Sequence, residues 1–173
     1  MRRNYAHDPT TIAPIPNLLK THIMTNATST ANTLTPHLTT CLWFTNNARD
    51  WVNDDLPNDT LHRVTRKGMN FGYPFCHQGD LLDIDFGKGR SCDEFDKPVL
   101  KIGPHVAALG MRFYTGKQFP AEYTNNIFIA EHGSWNRTKK SGFDVVRVAL
   151  DAKGNVTKKE VFVSGWLQGD DFW

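Results

Sequence analysis

Leu42-Trp43-Phe44-Thr45-Asn46-Asn47 is an apolar run that breaks into Ala48-Arg49-Asp50-Trp51-Val52-Asn53-Asp54-Asp55 and resumes as Leu61-His62-Arg63-Val64. The order returns further on. Ile127-Phe128-Ile129-Ala130-Glu131-His132 breaks into Gly133-Ser134-Trp135-Asn136-Arg137 and resumes as Phe143-Asp144-Val145-Val146-Arg147-Val148. A short hydrophobic strand that delivers charged and aromatic residues into a loop at its end is how repeated β units build one shared pocket.

Outward from these two stretches the body of the chain reads as strand after strand. Thr60 to Arg66, Leu109 to Tyr114 and Asn126 to Glu131 have strand composition, and Gly116 and Pro120 mark a turn-rich link between the last two. Phe143 to Leu150 and Asn155 to Val163 form a hairpin turning at Asp151-Ala152-Lys153-Gly154, rich in the β-branched valines that pack well on a pleated surface. Phe71 to Asp96 is a long Gly/Asp-rich loop, of the kind that caps a site. No amphipathic helix of useful length is visible. Met1 to about Thr40 is rich in Thr, Asn and Pro, has neither period 2 nor period 3.6, and reads as loop or disorder. The expected division is therefore a low-order segment over 1–41 and an all-β body over 42–173.

With 173 residues, 39% of them hydrophobic, and a mean hydropathy of −0.47, the composition is that of one soluble globular domain. No apolar run approaches the ~18 residues of a membrane-spanning helix, and the start shows no charged, apolar and cleavage regions of an export signal. A formal charge of +2 is too small to argue for nucleic acid, and Arg63, Arg66, Lys67, Lys139 and Lys140 read as solvated strand ends. Cys76 and Cys92 flank the Gly/Asp-rich loop while Cys41 lies apart, which suits a disulfide between the first two in an oxidising compartment. A zinc site on Cys76, His77 and Cys92 is the alternative, although it lacks a C-x-x-C pair and a fourth ligand.

Leu42 to Asp55, Lys67-Gly68-Met69-Asn70-Phe71-Gly72-Tyr73-Pro74, Phe113-Tyr114-Thr115-Gly116 with Phe119-Pro120, and His132-Gly133-Ser134-Trp135-Asn136-Arg137 occur in one order. In that order the chain from Leu42 to Trp173 resembles the pyrroloquinoline quinone (PQQ)-dependent sugar dehydrogenases, and most closely the sorbosone dehydrogenase branch. The resemblance implies a partial six-bladed β-propeller of about two or three blades. It also implies an oxidoreductase using PQQ and calcium, acting on a sugar or aldehyde with a separate electron acceptor, in the periplasm or outside the cell. The segment before Leu42 lacks the family's Gly-x-Arg-Asn turn, and the chain ends on Phe172-Trp173 as though within a motif. The expectation is a fragment of a longer propeller, inactive alone.

The resemblance also distributes roles. The Asn46-Asn47-Ala48-Arg49-Asp50 turn aligns with the turn whose carbonyls hold the cofactor's calcium, so Ala48 and Arg49 become candidate carbonyl donors and Asp50 a candidate carboxylate ligand. Asp54 and Asp55 are either further ligands or solvated turn carboxylates. His105, in Gly103-Pro104-His105-Val106-Ala107, either contacts quinone or substrate or is a structural hydrogen-bonding group. Arg137 is the preferred cation for the cofactor's carboxylates and quinone oxygens, Lys139 the runner-up, and Trp135 a ring to stack on the cofactor; the bland alternative makes Arg137 a surface residue and Trp135 packing. Trp43, Trp51, Phe71, Tyr73, Phe113 and Tyr114 are expected in the inter-sheet core. The family's catalytic base has no counterpart here, since neither His22 nor His37 carries the surrounding motif.

Overall fold

A computed structural model of the chain describes residues 41–50, 52–169 and 171–172. The expectations for Met1 to Thr40 and for Trp51 lie outside the described residues. The rest is all-β, with two three-residue 3-10 turns, Cys92–Glu94 and Ala121–Tyr123, as the helical content among the described residues.

Two antiparallel sheets make the body. The first joins β1 (Leu42–Asn46), β2 (Asn58–Val64) and β5 (Leu100–Pro104) in the order β1-β2-β5. The second is a meander of β6 (Ala108–Phe113), β7 (Ile127–Glu131), β8 (Asp144–Leu150) and β9 (Val156–Val163). Two short ribbons complete the set: β3 (Cys76–His77) with β4 (Leu81–Leu82), and β10 (Leu167–Gln168) with β11 (Asp171–Phe172).

The period of two in the sequence decides which face meets which. Ile127 and Ile129 on β7 and Val146 and Val148 on β8 point to one side, and they meet Trp43, Leu61 and Ile102 from the first sheet in one core. Val106 and Ala108, at the crossing from the first sheet to the second, complete it. Burying an aliphatic side chain of this size stabilises by roughly 1.5–3 kcal/mol, so these residues are the main reason the two sheets stay together. Polar bonds fix their alignment: Thr45 Oγ1 donates to Ala108 O (2.7 Å), and Lys159 Nζ on β9 donates to Ile102 O on β5 (2.6 Å).

The β8–β9 hairpin turns as expected, with Gly154 N donating to Asp151 O (2.9 Å) and Asp151 Oδ1 accepting from Lys153 N and Asn155 N. Two differences from the sequence reading stand out. Leu100–Pro104 is a strand, though Gly and Pro at its end disguise it, because β2 supplies a paired edge for it. Tyr73 is 80% exposed and so is not a core residue, whereas Trp43, Phe71, Phe113 and Tyr114 all make ring contacts. The peptide before Pro74 is cis.

The long Gly/Asp-rich loop is closed by a disulfide between Cys76 and Cys92. A zinc site on those sulfurs is thereby overturned, since both are consumed in the bridge. Inside the loop His77 Nε2 lies 2.6 Å from Asp83 Oδ2. The loop is therefore a braced unit.

Candidate functional site

All the strand ends that carry the singled-out residues lie at one edge of the two sheets. β1 and β5 finish there, β2 and β6 start there, and the β7–β8 connection crosses the same edge. Three loops consequently meet: 46–57, 103–107 and 132–142. Gly133 N donates to Val106 O (2.8 Å), His132 N to Ala107 O (2.9 Å) and Ser141 Oγ to Pro104 O (2.9 Å), which sews the third loop to the second.

Asp59 ties the first loop to the second. Its Oδ1 accepts from Ala48 N (2.8 Å) and its Oδ2 from Ala107 N (2.7 Å), and the residue is 2% exposed. Burial pushes its carboxyl up to about 6, against the pull of the two amides. The β2–β5 register shifts between Asp59 and Thr60, a bulge of the kind that re-aims a side chain.

Arg49 turns its guanidinium to the braced loop. Nη1 bonds both oxygens of Asp83 (2.8 and 2.7 Å) and Nη2 bonds Asp85 Oδ2 (2.6 Å). Although burial works the other way, the bonds from Arg49 and His77 and from the Phe86 and Asp85 amides hold the Asp83 carboxyl well below the usual carboxylate range. The turn at 48–49 is thus gripped at the Ala48 amide and at the Arg49 side chain. Among the described residues no donor reaches the Ala48 or Arg49 carbonyl oxygen. Asp50, half-exposed, brings Oδ1 to 3.6 Å from His105 Nδ1. Two free carbonyls and a carboxylate are hard oxygens and suit a calcium ion, which needs further oxygens from a bound group or water. Among the described residues there is no cluster of three or more His, Cys, Asp or Glu side chains to hold a metal alone.

His105 is buried and its Nε2–H donates to Asn53 O (2.7 Å) and Leu56 O (3.2 Å), while Nδ1 faces Asp50. Its backbone φ is 56°, and that of Ala107 is 53°, both in the left-handed region that non-glycine residues seldom occupy. Such strain persists where surrounding bonds over-determine the chain. Here they are the bonds to Asp59, Asn53, Gly133 and His132.

Arg137 reaches across the three-loop junction. Nε donates to Asp54 O (2.8 Å), Nη1 to Lys139 O (2.5 Å) and Nη2 to Asp55 Oδ1 (2.7 Å), while Thr138 N donates to Asp54 Oδ2 (3.0 Å). The bond from Thr138 holds the Asp54 carboxyl below its ordinary value. Trp135 is 62% exposed, and the exposed Lys139 ammonium has no hydrogen-bond or ion-pair partner among the described residues. The structure thus gathers Ala48, Arg49, Asp50, His105 and Arg137 at one junction, with Trp135 and Lys139 on the third loop. Asp59 and Asp83 escaped the sequence reading. Asp59 carried no local signal, since it stands in a polar strand opening, Asn58-Asp59-Thr60.

Residues 85–164 match the TrAA12-like family model. The chain is 33% identical over 131 residues to an uncharacterised protein of Borreliella burgdorferi, a match covering 75% of this chain and 35% of that one. It is 42% identical over 52 residues to a pyrroloquinoline quinone-dependent pyranose dehydrogenase of Coprinopsis cinerea, covering 30% of this chain and 6% of that protein. Two solved structures of the Trichoderma reesei carbohydrate-active enzymes family AA12 share its fold at 24% identity. The iodide structure has a TM-score of 0.60 over 72% of this chain and 38% of its own, and the calcium structure 0.56 over 68% and 36%. The TrAA12-like stretch runs from the braced loop to the end of the meander and includes all of the second and third site loops. The chain spans about a third of the length of the Borreliella relative and of the AA12 structures.

Proposed function

We propose that the chain forms part of the cofactor-binding face of a PQQ-dependent dehydrogenase acting on a sugar or aldehyde, with its two sheets as successive blades of a six-bladed β-propeller. One observation carries this reading: two carbonyls, at Ala48 and Arg49, with no donor among the described residues, on a turn clamped from both sides and set beside loops from the neighbouring sheet. The TrAA12-like match and the pyranose dehydrogenase relative supply the class of chemistry.

In this reading the Ala48 and Arg49 carbonyls and the Asp50 carboxylate hold calcium. His105 lies against cofactor or substrate, Lys139 and Arg137 give positive charge to its carboxylates, and Trp135 offers a flat face. Bound there, the quinone would supply a two-electron acceptor for hydride from the sugar carbon. The protein's part is to orient it and to fix the loops before substrate arrives. Without the family's base His, proton removal loses about 10²–10⁴ in rate. The chain alone is therefore expected to bind cofactor and not to turn over. An extracellular or periplasmic setting is supported by the Cys76–Cys92 bridge.

Titration with PQQ in the presence and absence of calcium tests the proposal. Saturable, calcium-dependent uptake is expected, with no dye reduction on added glucose or sorbosone; no uptake would sink the cofactor reading. A second reading, a propeller part without catalytic role, draws on the commitment of Arg137 and His105 to backbone carbonyls, which leaves both as braces. Uptake lost in Lys139→Ala but kept in Arg137→Lys would favour a retained site in which Arg137 is only a brace.

A further inference from the structure

We propose that Asp59 is the positioning residue of this site: one buried carboxylate that sets the calcium-facing turn and the His105 loop in a single geometry. The proposal rests on the cofactor reading above. Its observations are the residue's 2% exposure and its two bonds, 2.8 Å to Ala48 N and 2.7 Å to Ala107 N, spanning 11 and 48 positions of sequence.

The chemistry explains why an aspartate stands there. A carboxylate accepts at two oxygens and donates from neither, so each of the two amides, arriving from different loops, meets an oxygen of its own. An asparagine would accept one amide and turn its own NH₂ against the other. The burial matters because the carboxylate, 2% exposed, has little water of its own, so the two amides are what offset its desolvation.

What the clamp holds is specific. Turning the Ala48 amide toward Asp59 fixes the Asn47–Ala48 peptide plane, and the Ala48 and Arg49 carbonyls that follow it are those left without a donor among the described residues. Holding the Ala107 amide maintains the left-handed φ of 53° there, and the loop between Gly103 and Ala107 carries His105 at φ 56° with its ring on Asn53 O and Leu56 O. The 46–57 loop is thus reached twice, from Asp59 at its start and from His105 near its end.

Asp59→Asn and Asp59→Glu, made in the full chain, test the assignment by two measurements. Hydrogen exchange comes first and needs no ligand. In Asp59→Asn the amides of Ala48 and Ala107 are expected to exchange at least tenfold faster together, while Ile129 and Val146 in the core keep their parent rates. Equal acceleration everywhere would mean a merely structural residue and would overturn the proposal, as would no acceleration at the two amides.

The second measurement is calcium affinity in the presence of PQQ, read by calorimetry. A loss of tenfold or more is expected for Asp59→Asn, and a smaller loss for Asp59→Glu, which keeps the charge and shifts it outward by one methylene. Should Asp59→Asn fail to fold, the glutamate variant carries both readouts. A parent chain that takes up no calcium would overturn the cofactor reading, and with it the role given to the carbonyls. A parent that binds alongside variants that bind equally well would overturn the positioning role alone.

Discussion

Lys159 Nζ stands 2.9 Å from Glu131 Oε1, joining the outer strand β9 to the buried end of β7 across β8. Glu131 faces Asp144 in the β7–β8 register. Burial raises the Glu131 carboxyl, Lys159 pulls it down, and Asp144 adds to the rise, with the net at about 7 from an ordinary 4.5. A folded-state value raised in this way gives stability that is fully present below pH 4.5 and lost as pH rises through about 7. Glu131→Gln should therefore flatten the fall in unfolding stability between those pH values, seen in urea melts at several pH values. A variant with the parent's slope would assign the effect to other groups.

Gly133 has φ +104°, and a Cβ there would meet the Phe143 ring at 2.3–2.5 Å. The ring is buried and cannot retreat, so Gly133→Ala combines an unfavourable φ with overpacking and should cost about 2–4 kcal/mol. A thermal melt gives the answer. Because the 132–142 loop rests on Val106 through Gly133 N, cofactor uptake should fall with it.

Opening the Cys76–Cys92 bridge should cost roughly 3 kcal/mol, the figure for a loop of about this length. The site should feel it as well, since Asp83 lies inside the closed loop and holds Arg49. Denaturant melts with and without reductant measure the first effect. Faster amide exchange over 48–50 on reduction reads the second.

Arg137→Lys should loosen the three-loop junction, because an ammonium cannot serve Asp54 O, Asp55 Oδ1 and Lys139 O together. A drop of about 1–2 kcal/mol in unfolding stability is expected. Asp55→Asn, at an exposed partner, should change stability by under about 1 kcal/mol.

The strands were legible because alternation and β-branching are local. The bounds of β8 and β9 differ from the expectation by one residue each, and of the hairpin valines expected to pack, Val146 and Val148 are core residues while Val161 and Val163 are exposed. The site was legible as a set of loops and not as a set of bonds. Nothing local says that Asp59 receives amides from Ala48 and Ala107, or that Arg49 turns outward to Asp83, because both depend on which loops the sheets bring together. Tyr73 misled for a related reason. An aromatic beside Gly and Pro looks like packing, but the surrounding chain decides which way its ring faces, and here it faces water.

The pooled core has a practical side for anyone who wishes to cut or permute this polypeptide. Trp43, Leu61 and Ile102 share one core with Ile127, Ile129, Val146 and Val148 of the later half, so severing the backbone between Pro104 and Ala108 would divide that interior between two pieces. The exposed stretch from Thr115 to Gln118 is the better place for a break or an inserted reporter. Two pieces divided there would each retain strands of the common interior, and should reassociate on mixing.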